Sequence, residues 1–223
     1  MNGRLLGIVA ALEAEARTLG PAVRRQAMVA VSGMGKDLAA PAARRLVEAG
    51  ATALLSFGFA GGLDPKLCAG QVLLPEEVIS GDGGRLPTHA EWRSQLRAAI
   101  ADLAPSGGTL LSTSDPIGSV ERKSELYQAT GAVAVDMESA AIAEVAAAHA
   151  LPFMAVRVIV DGAADALPGV VMRAGREGRI SVVRLFARLA AAPGDVVGLL
   201  RLAQRYRVAT RSLTAVARGA HFA

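Results

Sequence analysis

Three acidic motifs in this 223-residue chain each follow a run of apolar residues that reads as a strand. Ala11-Leu12-Glu13-Ala14-Glu15 closes the run Leu5 to Ala11, and Asp136-Met137-Glu138-Ser139 follows Val133 to Val135. Asp161 ends the run Phe153 to Val160, with Gly162 and Asp165 just beyond. Ligands of α/β sheets are usually met at such strand ends, and partial burial there raises a carboxyl pKa until it can hold a proton at neutral pH. Three acids of this kind suit cleavage of an N-glycosidic bond, which builds positive charge on the sugar and negative charge on the departing base. An acid at the base, an anion near the sugar and a base for water would all help. The same residue types also serve plainer ends. Asp136 and Glu138 fit a helix start, where they stabilise the macrodipole, and Asp165 fits a turn. Glu13 and Glu15 lie two apart, so in a helix they point in different directions and only one faces a site.

Two glycine-bearing segments accompany the acids. Ser32-Gly33-Met34-Gly35-Lys36 lies between a strand and a helix, offering exposed N–H groups and a cation that could hold an anion or ribose hydroxyls. It lacks the third glycine of a dinucleotide fingerprint and the spacing of a P-loop. Gly58-Phe59-Ala60-Gly61-Gly62-Leu63-Asp64-Pro65 lets backbone approach a ligand closely, though a tight turn would use the same residues. Other chemistries fit less well. His89, His149 and His221 have no metal-ligand spacing, and His149 reads as a helix end, so no metal is expected. No Ser-His-Asp or Cys-His signature occurs, and Cys68 reads as inert.

The elements that must position these residues alternate along the chain. Further runs at Ala27 to Val31, Ala53 to Phe57, Val72 to Leu74 and Thr109 to Leu111 read as strands, several of them apolar on both faces. Asp37 to Ala49, with Asp37 as N-cap, Glu91 to Leu103, Glu121 to Ala129 and Glu138 to His149 have helical spacing. This alternation indicates an α/β layered fold with a largely parallel or mixed sheet. Glycine clusters at 58–62 and 81–84 read as breaks between elements. After Pro168 and Gly169 the composition shifts to an Arg-rich, helical C-terminal extension from about residue 170.

Bulk properties narrow the classes. A length of 223 residues with 52% hydrophobic content suits one domain over 1–223. Aromatics at 4% are too few for the stacking platforms of single-stranded nucleic-acid binders, so nucleic acid is not the expected partner. The net charge of +4 hides an asymmetry: residues 170–223 carry 10 arginines against Glu177 and Asp195, whereas residues 1–169 are net acidic. A single cysteine, no signal-peptide pattern and no long uncharged apolar window point to the cytoplasm. In the tail, Val196, Leu199, Leu200, Ala203 and Tyr206 form a helical apolar stripe, with Arg201, Arg205, Arg207 and Arg211 elsewhere around it. Such a helix packs on the core or on a second subunit, or attaches peripherally to an anionic membrane surface.

Taken in order, the acidic motif at 11–15, Ser32 to Lys36, Gly58 to Pro65, Asp136-Met137-Glu138 and Arg157-Val158-Ile159-Val160-Asp161 resemble the purine/uridine phosphorylase and methylthioadenosine/S-adenosylhomocysteine nucleosidase superfamily. The resemblance spans about residues 5 to 165. Ser56 to Pro65, Ala134 to Ser139 and the Arg-rich tail look most like its hopanoid-associated branch, thought to remove adenine from adenosylhopane. What the resemblance implies is a three-layer fold, a central mixed β-sheet flanked by helices, usually assembled as a homodimer or larger. Asp161 would protonate the purine at N7. Glu138 would bind the ribose hydroxyls, Met137 would pack on the sugar, and Glu15 would position or deprotonate the attacking water. Phe59, Ala60, Gly61, Asp136 and Val160 would line the substrate, and Ile117 would lie near the base.

Two positions depart from the nucleosidase pattern, which carries serine where Phe59 and Val160 stand. Both changes make the site more apolar, as a substrate with a bulky apolar 5′ group would require. They also leave open a nucleoside-binding protein without catalysis. No cofactor is expected, except phosphate as co-substrate if the bond is broken by phosphorolysis. A phosphorolytic site needs cations to hold phosphate, and the loop after the first strand offers Glu13 and Glu15 before Arg17, which favours hydrolysis.

Overall fold

A computed structural model describes residues 5–167 and 196–220. The first half runs β1 (Leu6–Ala10), α1 (Glu13–Thr18), α2 (Gly20–Gln26), β2 (Ala27–Val31), α3 (Lys36–Glu48) and β3 (Ala53–Gly62). Then come β4 (Val72–Leu73), β5 (Glu77–Ile79), β6 (Arg85–Pro87), α4 (Ala90–Ala99) and β7 (Thr109–Ser112). The remaining elements are α5 (Val120–Thr130), β8 (Ala134–Asp136), α6 (Ser139–Ala148), β9 (Phe153–Asp161) and α7 (Val196–Gly219). Local chemistry sets several of their ends. Ser119 accepts from the Arg122 N–H at 3.1 Å to start α5, and Gly131, at φ 68°, closes it in a left-handed turn. His89 caps α4 by accepting from the Trp92 N–H at 3.2 Å.

The strands form one mixed sheet. Its main path is β2-β1-β3-β8-β7-β5-β6, while β9 pairs with β3 on one side and β4 on the other. β3 is the hinge of this arrangement. From Leu54 onward it runs parallel to β9, its early residues also pair with β1, and its last two, Gly61 and Gly62, turn to pair antiparallel with β8. A register shift between Ala60 and Gly61 marks the divergence.

Side-chain alternation divides the core between the two faces. Leu55 and Phe57 of β3 and Met154, Val156 and Val158 of β9 face one layer, with Trp92 of α4 and Ala209, Leu213 and Val216 of α7. Leu54, Ala155 and Ile159 face the other, against Ala39, Ala42 and Leu46 of α3 and Ile142 and Val145 of α6. Helices on both faces of a mixed sheet make the three-layer α/β architecture. Each wholly buried Leu or Val contributes about 1.5–3 kcal/mol, so Leu213 and Val216 bind α7 firmly to the sheet.

Several expectations need correction. The glycines at 58–62 do not break the chain; they continue β3, because β9 pairs with 58–61, β8 pairs with Gly61 and Gly62, and Glu15 accepts the Phe59 N–H on the open side. The cluster at 81–84 does break the pattern as expected, forming the turn of the β5–β6 hairpin; what the apolar runs left out are that hairpin's own short strands. Gly35, not Asp37, is the N-cap of α3, and Asp37 lies in its first turn. Among the described side chains of α7 the buried ones are Ala209, Leu213, Val216 and Ala217, with Ala220 just past its end, while Ala203 and Tyr206 of the expected stripe are half-buried. The Arg-rich stretch from 170 to 195 lies outside the described residues, as do the side chains of Val196, Leu199 and Leu200. No described helix is long and apolar enough to cross a membrane.

Candidate active site

The three acids of the sequence motifs are all buried, with Glu15 3%, Glu138 7% and Asp161 3% exposed, and Glu15 and Asp161 meet the same segment of β3. Glu15 sits in α1, just after β1, and Glu13 two residues before it is exposed, so only one of the pair faces inward. One Glu15 oxygen accepts from the Phe59 N–H at 2.9 Å and the other from the Leu12 N–H at 2.8 Å. Those bonds fix the carboxylate plane against the strand. Gly58 makes the approach possible: a Cβ there would collide with the Glu15 carboxylate and lie 2.7 Å from Nη1 of Arg157.

Asp161 lies at the far end of the same segment. A Cβ on Gly61 would stand 3.3 Å from its Oδ2. From Gly58 to Gly61 is three steps of strand, roughly 10 Å at ~3.3 Å per residue. Glu138, the N-cap residue of α6, accepts from the Gly35 N–H at 2.8 Å and is close enough to Arg157, Asp136 and Glu15 to feel their charges.

Beneath the acids lies a buried polar network that the motifs did not assign. Arg157 projects from β9 toward the α3/α6 layer. Its Nε donates to Asp136 Oδ2 at 2.8 Å, and its Nη2 donates to Ser56 Oγ at 2.6 Å and Ser139 Oγ at 2.9 Å. Asp136 in turn accepts from the Ser139 N–H, at 3.2 Å on Oδ2. The Asp136 carboxylate is therefore bonded both to Arg157 and to the start of α6. One guanidinium thus serves three carboxylates, those of Asp136, Glu138 and Glu15.

Asp161 has its own cation, which sequence reasoning also missed. Lys123 of α5 is fully buried and donates from Nζ to Asp161 Oδ2, to the Gly162 carbonyl at 2.7 Å and to the Asp165 carbonyl at 2.9 Å. Asp165 closes the turn by accepting from the Gly162 N–H at 2.9 Å and pairs with Arg205 of α7 at 2.6 Å. Helix α7 also lays Tyr206 on Phe59, with ring centroids 5.3 Å apart and planes at 57°.

The remaining expected residues fall around this centre. Met137 is buried, with its N–H 3.4 Å from Glu138 Oε2. Ala60 is buried, Val160 is half-buried against the α7-side core, and Ile117 packs beside Leu63, Leu111 and Val135. The 32–36 loop reaches the site only through Gly35. Two of its other amides bond the preceding strand end, Ser32 N–H to the Ala10 carbonyl at 2.9 Å and Gly33 N–H to the Ala11 carbonyl at 3.0 Å. Lys36 is exposed, and its charge is felt by Asp82 in the hairpin turn. The loop thus braces Glu138 through Gly35.

Burial dominates the electrostatics. It raises the pKa of Glu15 against the pull of Arg157 and of backbone N–H groups, and that of Asp161 against the pull of Lys123. Glu138 is pushed up to about 7 by burial and then by the Asp136 charge. These groups keep protons that ordinary carboxyls lose, so the folded state binds more protons than the unfolded chain between their ordinary pKa and the raised one. Stability then falls as pH rises through that window. For Glu138 the window is 4.5 to about 7. Melting temperatures measured across it should decline with pH, and Glu138→Gln should flatten the slope; an unchanged slope in that variant would assign the effect elsewhere.

Comparison with known proteins agrees with this fold. A model of the phosphorylase superfamily matches residues 13–192. A 5′-methylthioadenosine/S-adenosylhomocysteine nucleosidase of Treponema pallidum is 31% identical over 225 residues, covering 78% of this chain and 83% of the relative. Among solved structures, the Helicobacter pylori 5′-methylthioadenosine/S-adenosylhomocysteine nucleosidase with butyl-thio-DADMe-Immucillin-A aligns at TM-score 0.70 and 17% identity, covering 97% and 98% of the two chains. Futalosine hydrolase of the same organism aligns at TM-score 0.69 and 17% identity, covering 96% and 97%. At these identities the structural matches speak for the fold alone.

Proposed function

We propose that this chain, which belongs to the phosphorylase superfamily, hydrolyses the N-glycosidic bond of a purine nucleoside carrying a bulky apolar 5′ substituent, with adenosylhopane as substrate. The observation that carries the reading is the burial of three carboxyls in one region: Glu15 and Asp161 meet the same four-residue stretch of β3, and Glu138 joins Glu15 in the field of Arg157.

The chemistry divides among them by position. As the C1′–N9 bond breaks, its electron pair enters the purine, and Asp161 passes its proton to N7 so that a neutral base leaves. Glu138 accepts from the ribose hydroxyls and faces the positive charge that develops at the sugar. Water adds to C1′ while its proton passes to Glu15, whose raised pKa makes it a stronger base than an ordinary glutamate. Arg157 limits that rise and keeps the carboxylate available.

Hydrolysis is favoured over phosphorolysis by the cations present. Arg157 is buried and occupied by Asp136, Lys123 is buried under Asp161, and Arg17 is exposed to solvent. An apolar 5′ group is favoured by the Phe59–Tyr206 pair and by half-buried Val160. Incubation with adenosine, methylthioadenosine and adenosylhopane, each with and without phosphate, tests the reading. Free adenine without sugar phosphate, fastest from adenosylhopane, is expected. Sugar phosphate as product would make the enzyme a phosphorylase, and purine binding without any release would remove catalysis altogether.

A further inference from the structure

Among the described residues of α5, Lys123 is the only one that is buried, and it is wholly so. A helix normally docks through an apolar stripe; this one inserts an ammonium. The three acceptors around Nζ are the Asp161 carboxylate and the Gly162 and Asp165 carbonyls, which together form the turn after β9. The nearby Asp165 carboxylate is engaged by the Gly162 N–H and by Arg205, leaving the Asp161 carboxyl as the acidic side chain that faces the buried ammonium.

We infer that Lys123 is a positioning residue for the acid step, holding the Asp161 carboxyl in place and stabilising the carboxylate formed when it gives its proton to the leaving base. This rests on the acid role assigned to Asp161 above. Lys123 keeps its own protons throughout; the one that moves passes from Asp161 Oδ to the purine, and the charge left on Asp161 forms against a fixed ammonium. That interaction strengthens as the reaction proceeds, which is how a preorganised cation lowers a barrier. The charged groups facing Asp161 are Lys123 from α5, Asp165 from its own turn and Arg205 from α7. Of these, Lys123 bonds it directly.

The test is Lys123→Gln, which keeps a donor for the carbonyls but carries no charge, assayed with methylthioadenosine. Its kcat should fall at least ~10-fold, within the ~10²–10⁴ a general acid supplies, with KM little changed. Asp161 works protonated, so activity is lost above its pKa. Without the ammonium that pKa rises, and the basic limb of the kcat profile should move up by roughly one to three pH units. Lys123→Arg keeps the charge and should leave the limb in place while kcat drops ~10-fold from altered geometry. A Lys123→Gln enzyme with wild-type kcat and an unmoved limb overturns the inference. If Lys123→Gln does not fold, Lys123→Arg decides through its pH profile, since a basic limb displaced by about a unit or more in that still charged variant overturns the inference. Asp161→Asn run alongside separates the two claims. Near-normal adenine release by that variant overturns the acid role and this inference together, whereas its loss beside an unaffected Lys123→Gln overturns the inference alone.

Discussion

Asp161→Asn should reduce adenine release by about 10²–10⁴-fold, because the amide is nearly isosteric with the acid but has no proton to give. The structure adds a consequence for stability. The substitution leaves Lys123 buried without a counter-charge, and removing one partner of a buried pair outright costs about 3–5 kcal/mol. The new amide oxygen still accepts from Nζ, and the Gly162 and Asp165 carbonyls remain, so the loss should fall below that range. A folded but less stable variant, silent with every nucleoside, is the expected result in a coupled adenine assay and a urea titration. Turnover within a few-fold of wild type would remove Asp161 from the acid role.

Glu15→Gln should likewise cost about 10²–10⁴-fold in hydrolysis, and phosphate should not restore the rate. Here too the substitution is less neutral than it looks. Both Glu15 oxygens accept from backbone N–H groups, of Leu12 and Phe59. A glutamine turns an NH₂ toward one of them, leaving a buried donor unsatisfied at about 1–3 kcal/mol. The rate must therefore be normalised to folded protein. Adenine release dependent on phosphate, with sugar phosphate as co-product, would show that Glu15 serves water only and that the enzyme has a phosphorolytic route.

Legibility in the sequence differs from residue to residue for physical reasons. Strand-end acids are visible because a carboxylate directly after a buried apolar run has few structural explanations. Arg157 carries a subtler signal: a single charge within Phe153 to Val160, in a strand apolar on both faces, requires a buried partner. Lys123 carries none. It sits in Glu121-Arg122-Lys123-Ser124-Glu125, where Arg122 is exposed and pairs with Glu125. Nothing local distinguishes the lysine that is buried from the arginine that is not. The glycines at 58–62 read as a loop because composition reports missing side chains without saying what fills the space.

The α/β layering and the three acids were determined by the sequence itself, because both arise from local patterns: alternating apolar runs and helical stretches, and carboxylates placed at strand ends. The register of β3 against β9, and hence which cation meets which acid, belonged to the tertiary structure alone. Arg157 lies beside Gly58, and Lys123 reaches Asp161 from a helix 38 residues earlier in the chain. Such pairings depend on which faces the sheet turns toward which helices, and no spacing along the chain encodes that.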